Sequence, residues 1–318
     1  MKKIFLLLIP ALALTGCIDR NTNSLDSGDV DTSSLKIICP TGAPAFAFYN
    51  HANNDNFETN NVPSNIVAML SPTSDKDIVV IDTVSGIKAI NNGAPYKLAA
   101  NITLGNFFIG ATGNDADGTM DPDDKIVIFG EHQTPDLLFH YLYGNTYDEG
   151  IEYVTNVQDA AKCLITGKNI VTESIIDYVF VAQPVLFKAL RANPNASKYV
   201  DIQAKYNEVS GGKSLIQASV FIKDSLSKAQ ANAFLSTLES DITKAISNPD
   251  IIKDELSKND ADEMLSLYGV EADVATAVLK DNNGLGLGYK NALNNKDHID
   301  SFISLFSIEN TNEEIYYK

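Results

Sequence analysis

DIVVIDTVSGIKAINNGAPYKLAA, residues 77–100, changes its periodicity twice. Asp77 to Ile81 is a run of β-branched residues that reads as a five-residue strand. Asp82 and Thr83 stand at its carboxyl end, and Ser85 to Asn92 reads as a helix stopped by Gly93. PYKLAANITLGNFFIGATG, residues 95–113, supplies one or two further strands. Strand, polar turn, helix and strand in succession predict an α/β domain with a mostly parallel sheet covered by helices.

The same unit repeats on both sides. Upstream, Leu35–Pro40 reads as a strand, Thr41-Gly42-Ala43-Pro44 as a turn, and a helix runs to about Ala52. Ser64 is placed to cap a short helix through Leu70. An acidic turn, Asn114 to Asp124, separates this region from a second series. There Lys125–Gly130 is a strand and Glu131-His132-Gln133 a turn. Thr134 is placed as the cap of a helix, with Pro135 first and Asp136 in its first turn. IEYVT (151–155) is a strand, Val157–Thr166 a helix, and DYVFVAQP (177–184) a strand ending at Gln183-Pro184. SLIQASVFI (214–222) returns to the first series, and the rest reads as helical to the end.

The first residues concern location. MKKIFLLLIPALALTGC has two lysines, an apolar stretch too short to span a bilayer, and Leu14-Thr15-Gly16-Cys17, which reads as a lipoprotein cleavage signal. Residues 1–16 are therefore expected to leave as a signal peptide. Cys17 then carries lipid and holds the chain on the extracytoplasmic face of the cell membrane. Cys17 to Ser34 is rich in Ser, Asn, Asp and Thr and reads as a flexible tether. Loss of Lys2 and Lys3 takes the net charge of −17 to about −19, which repels nucleic acid. With 44% hydrophobic and 20% charged residues the full chain has the composition of a globular protein. It is long enough for two α/β lobes. Cys39 and Cys163 read as two isolated buried thiols, the alternative being a disulfide in an oxidising envelope. Beyond the leader the arginines are Arg20 and Arg191, too few for the usual clamp on an amino-acid carboxylate.

LKIICPTGAPAFAFY (35–49), the 77–100 stretch, DDKIVIFGEHQTPDLLFHYL (123–142) and the terminal EEIYYK (313–318) together resemble a known family. It is that of the substrate-binding lipoproteins of ABC importers, in the nitrate, sulfonate, taurine and thiamine-precursor group. The resemblance implies a two-lobed type II periplasmic-binding-protein fold with mixed sheets, a hinge and an inter-lobe cleft. On that plan residues 35–113 plus 213–318 form the first lobe and 114–212 the second. It also implies a small-molecule ligand, a nitrate- or sulfonate-like anion or a vitamin precursor, and ABC permease subunits as partners. The alternatives are an enzyme on the same fold, of menaquinone- or thiamine-pathway type, and a surface lipoprotein with a vestigial cleft.

In open α/β sheets, ligands bind beyond the carboxyl ends of strands. That rule selects Thr41, Gly42, Ala43, Asp82 and Thr83 in one lobe. In the other it selects Glu131, His132, Gln133, Thr134 and Gln183. Free N–H groups at helix N-termini are expected to bind polar or anionic groups there. Phe46, Phe48, Tyr49, Phe107 and Phe108 read mainly as core. Asp115, Asp117 and Asp121 lack the full calcium-loop pattern and read as a solvated turn. The sequence holds no nucleophile elbow, P-loop, dinucleotide fingerprint or HExxH. No catalytic residue, cofactor or metal ligand is assigned.

Overall fold

The β-branched runs become strands where helices cover both faces of a sheet. The computed structural model describes residues 30–308 and 313–318, so the expected signal peptide, Cys17 and the tether up to residue 29 lie outside the described residues. Asp31–Lys318 forms one compact unit. Its strands are β1 Ile37–Pro40, β2 Phe57–Asn60, β3 Ile78–Asp82, β4 Tyr96–Thr103, β5 Phe107–Ala111, β6 Ile126–Phe129, β7 Ile151–Val154, β8 Tyr178–Ala182, β9 Ser197–Asp201, β10 Ala218–Lys223 and β11 Leu287–Asn291.

These strands build two mixed sheets, in the orders β11-β4-β10-β3-β1-β2 and β7-β6-β8-β5-β9. Each carries three parallel strands on one side, β2-β1-β3 in the first and β7-β6-β8 in the second. An antiparallel strand follows in each, β10 in the first and β5 in the second. Both are the first strand the chain forms after leaving the other sheet. The sheets therefore change over between Thr103 and Phe107, and again between Asp201 and Ala218. The sequence reading put the first changeover at 113/114, beyond β5. Apolar residues run through both β4 and β5, and only Leu104-Gly105-Asn106 separates them. A strand pattern does not say which sheet it joins. The second expected changeover, 212/213, falls inside the second connection.

Local chemistry sets most helix ends. Asp82 Oδ1 accepts from Ser85 N–H at 2.9 Å and caps helix Thr83–Asn91, an arrangement worth about 1 kcal/mol. Asn156 does the same for Val157–Thr166, which Gly167 ends in the left-handed conformation. Ser64 and Thr134 do not cap: Val62 and Gln133 occupy those positions without a side-chain bond, and Pro63 and Pro135 stand first and second in their helices. The expected first helix is a 3₁₀ segment, Ala43–His51, buried along Ala43–Tyr49. The tail is not helical throughout, because β11 pairs with the edge of β4. Cys39 and Cys163 are buried free thiols.

Phe46, Phe48 and Tyr49 are core residues, as expected. Tyr268, on helix Ala261–Tyr268, stacks on Phe46 at 5.0 Å and donates its hydroxyl to the Phe48 carbonyl. The C-terminal helices thus lock the loop after β1. His51 packs its ring against Phe48 and Phe57. Burial holds it below its ordinary value, with Asp241 partly opposing. The unfolded chain therefore binds the His51 proton more readily than the folded one, so stability falls as pH drops below about 6.5. Melting temperatures between pH 7 and pH 5 should fall less steeply in His51→Gln than in the wild type. Equal slopes would show that folding leaves the proton affinity of His51 unchanged.

Candidate functional site

The carboxyl ends of the parallel strands from the two sheets face one another across a cavity of about 130 Å³. Thr41-Gly42-Ala43 after β1, Asn60-Asn61 after β2 and Asp82 ending β3 line it from one side. Gln133-Thr134 after β6, Asn156-Val157-Gln158 after β7 and Gln183 after β8 line it from the other. Asn106 and Gln217, from the two connections between sheets, complete the wall. The rings of Phe107 and Phe129, 6.0 Å apart, supply apolar surface.

Hydrogen bonds hold the lobes together around this space. Thr134 donates its hydroxyl to Asp82 Oδ1 at 2.8 Å, and Gln158 Nε2 donates to Thr41 Oγ1 at 3.2 Å. Lys188 pairs with Glu271 at 2.9 Å outside the cavity. That pair is exposed and contributes at most about 1 kcal/mol. At the crossings, Asn106 N–H donates to Gln217 Oε1, and Asn106 Nδ2 donates to the Gln183 carbonyl at 2.7 Å. The lobes are drawn closed.

The wall is poor in cations. Among the described residues that line it, Asp82 is the one ionisable group. Four prolines along it, Pro44, Pro63, Pro135 and Pro184, remove N–H groups from the places where helices begin, and Pro40 removes one at the end of β1. Gly42 N–H is already bonded to the Tyr268 carbonyl at 3.0 Å. Two buried side-chain acceptors of the lining residues lack partners. Asn106 Oδ1 and Gln158 Oε1 are buried without a hydrogen-bond partner among the described residues. Asn106 is 3% exposed, and its bond to the Gln183 carbonyl fixes which end of its amide is oxygen.

Seven of the ten residues selected from the sequence line the cavity: Thr41, Gly42, Ala43, Asp82, Gln133, Thr134 and Gln183. Thr83, Glu131 and His132 do not. Thr83 is fully buried and its hydroxyl shares a 2.6 Å hydrogen bond with Ser219 inside the sheet. His132 adopts a left-handed φ of 61° and leaves its side chain 85% exposed. Its N–H instead donates to Asp136, which also takes the Tyr153 hydroxyl. Asn106, Gln158 and Gln217 were missed. Gln158 has a visible signal, since it lies two residues after a helix cap that follows a strand.

Of the acidic loop, Asp115 accepts from Tyr178, and Asp117 from the Thr119 N–H. Among the described residues no group of three His, Cys, Asp or Glu is placed to hold a metal ion. No described helix is long and apolar enough to cross a membrane.

No known protein family matches the chain by sequence, and no curated protein matches it significantly. Solved structures do match. An ABC transporter protein from Parabacteroides distasonis superposes with a TM-score of 0.67 at 19% identity, over 86% of this chain and 91% of that one. The ligand-binding component of an ABC-type import system from Staphylococcus aureus, solved with zinc bound, gives 0.62 at 12% identity, over 89% and 96%. The periplasmic aliphatic sulphonate binding protein from Escherichia coli gives 0.62 at 14%, over 86% of each. At these identities the likeness shows the architecture: the chain has the two-lobed type II periplasmic-binding-protein fold, with mixed sheets and a cleft between the lobes.

Proposed function

We propose that the chain is a solute-binding protein that closes its lobes over a small molecule and presents it to the permease of an ABC importer. The observation that carries this is the cavity itself. It is enclosed by strand ends of both sheets and bridged by Thr134–Asp82 and Gln158–Thr41, so lobe closure and solute capture are one event. The binding proteins of the same fold support the reading. Binding, not bond-making, suits a wall of amides, hydroxyls and a single carboxylate. Leu14-Thr15-Gly16-Cys17 supports a lipid anchor on the extracytoplasmic face, with the 17–34 tether setting the lobes off the membrane.

Of the ligand classes suggested by the sequence, the sulfonate- or nitrate-like anion is the less favoured. An anion here would meet Asp82 and no cationic side chain among the described lining residues. The test is native mass spectrometry of the full chain, purified gently in detergent. A retained small molecule, together with a diacylglycerol-modified Cys17 as the first residue, is the expected result. An empty protein in every preparation, unmoved by a cell's small-molecule extract, contradicts solute binding. An unlipidated N-terminus elsewhere contradicts the anchor.

A further inference from the structure

We infer that helix Ala272–Lys280 is a clasp that biases the lobes toward closure, gripping the second lobe at the rim of the cleft through the Glu271–Lys188 pair. The inference rests on the solute-binding reading above and names a device that regulates that site. The helix packs on helix Asp250–Leu256, which itself lies on the 3₁₀ segment Ala43–His51 of the first lobe. Lys253–Asp273 at 2.8 Å and Lys280–Asp250 at 2.6 Å pair the two helices, and Ala275, Val278 and Leu279 are buried. The clasp is thus fixed to the first lobe along its length. It also touches helix Val185–Ala192 of the second lobe.

Its two ends meet the second lobe at different places. Asp281, just after the helix, pairs with Lys198 of β9 at 3.3 Å. Lys198 stands shortly before the chain crosses back to the first sheet, and beyond Asp281 the Gly286 carbonyl accepts from Leu104 N–H in the other crossing. This pair therefore sits beside the hinge. Glu271, just before the helix, pairs with Lys188 at 2.9 Å, and this end lies at the cavity. The preceding Gly269 lines the cavity, and the Tyr268 carbonyl accepts from Gly42 N–H. A Cβ on Gly269 would stand 3.3 Å from Cβ of Thr41 and 3.6 Å from Nε2 of Gln158, residues of opposite lobes. Nine helical residues separate the two ends, about 14 Å at 1.5 Å per residue. A rotation about the crossings leaves Lys198–Asp281 nearly in place and draws Lys188 away from Glu271. Both pairs are exposed, so each is weak and screened by salt. A weak pair moves an open–closed ratio severalfold without locking the lobes.

Spin labels across the cleft test this. Cysteines replace Asn65 and Thr155, exposed residues close to the lining positions Pro63 and Asn156 of the two lobes. Pulsed electron paramagnetic resonance then measures the distance between labels in the full chain in detergent, freed of any retained molecule. Lys188→Glu sets two carboxylates together and should raise the open-to-closed ratio about threefold to tenfold. Adding Glu271→Lys to it should restore the wild-type ratio. Raising salt from about 0.05 M to about 0.5 M should open the wild type and close Lys188→Glu, since screening weakens an attraction in one and a repulsion in the other. Lys198→Glu, beside the hinge, should shift the ratio far less. Two distances whose ratio ignores both the reversal and the salt overturn the clasp and leave lobe closure standing. So does a reversal that the paired swap fails to restore. An equal shift from Lys188→Glu and Lys198→Glu overturns the assignment of rim and hinge. A single distance in every protein overturns the clasp, and native mass spectrometry then decides the wider reading. A retained molecule leaves solute binding standing, and an empty protein unmoved by small-molecule extract overturns both.

Discussion

Replacing Gly86 with valine should lower the melting temperature by on the order of 10 °C. Gly86 lies on the buried face of helix Thr83–Asn91, the helix that Asp82 caps. A Cβ there would stand 2.0 Å from Cζ of Phe221, whose ring is fully buried on β10. Phe221 is itself fixed between Val79 on β3 and Leu98 on β4, so it cannot swing aside without disturbing three strands. Overpacking of this kind costs about 3 kcal/mol, the upper part of the usual range. Asp82 would move with its helix, so solute binding should weaken even where the variant stays folded. Circular dichroism melts check this. A melting temperature within about 2 °C of wild type would mean that helix and sheet are not in this close contact.

Gly286→Ala should be of similar size, for a different reason. Gly286 has a left-handed φ of 65°, and a Cβ there would lie 2.3 Å from the backbone oxygen of Gly105. Both sides of that contact are backbone, and Leu104 N–H donates to the Gly286 carbonyl at 2.7 Å, so neither side yields easily. The left-handed conformation alone costs alanine about 1–2 kcal/mol, and the displaced backbone adds to it. Gly105 directly precedes Asn106, so the strain arises where the chain changes sheets and sets a cavity wall. The denaturation midpoint should fall with little change in the slope. An unchanged midpoint would contradict the close approach of these two segments.

The sequence was most legible where a residue's role follows from its own neighbours. Asp82 ends a β-branched run and precedes a helix, so it caps and it faces the cleft, and both roles are local. Thr41 and Gln183 follow strands in the same way. Asn106 and Gln217 were not legible, because their position depends on which sheet the next strand joins. Nothing in Leu104-Gly105-Asn106 states that β5 crosses to the second sheet. His132 was misplaced for a conformational reason. A histidine in the left-handed region turns its side chain away from the direction an extended residue would take, and Asp136 ties the turn down from inside the helix. Thr134 has the type expected of a cap, yet Gln133 precedes it at the cap position, which leaves the threonine hydroxyl to reach Asp82 in the other lobe.

The most direct measurement is a crystal structure of the full-length protein purified without denaturation, determined to a resolution that separates ligand from water. The account predicts one small molecule between the lobes. It should touch residues of both lobes, Asp82 and Gln183 among them, with the Thr134–Asp82 bridge intact. A closed cleft holding only water, or a molecule bound only elsewhere on the protein, would contradict it.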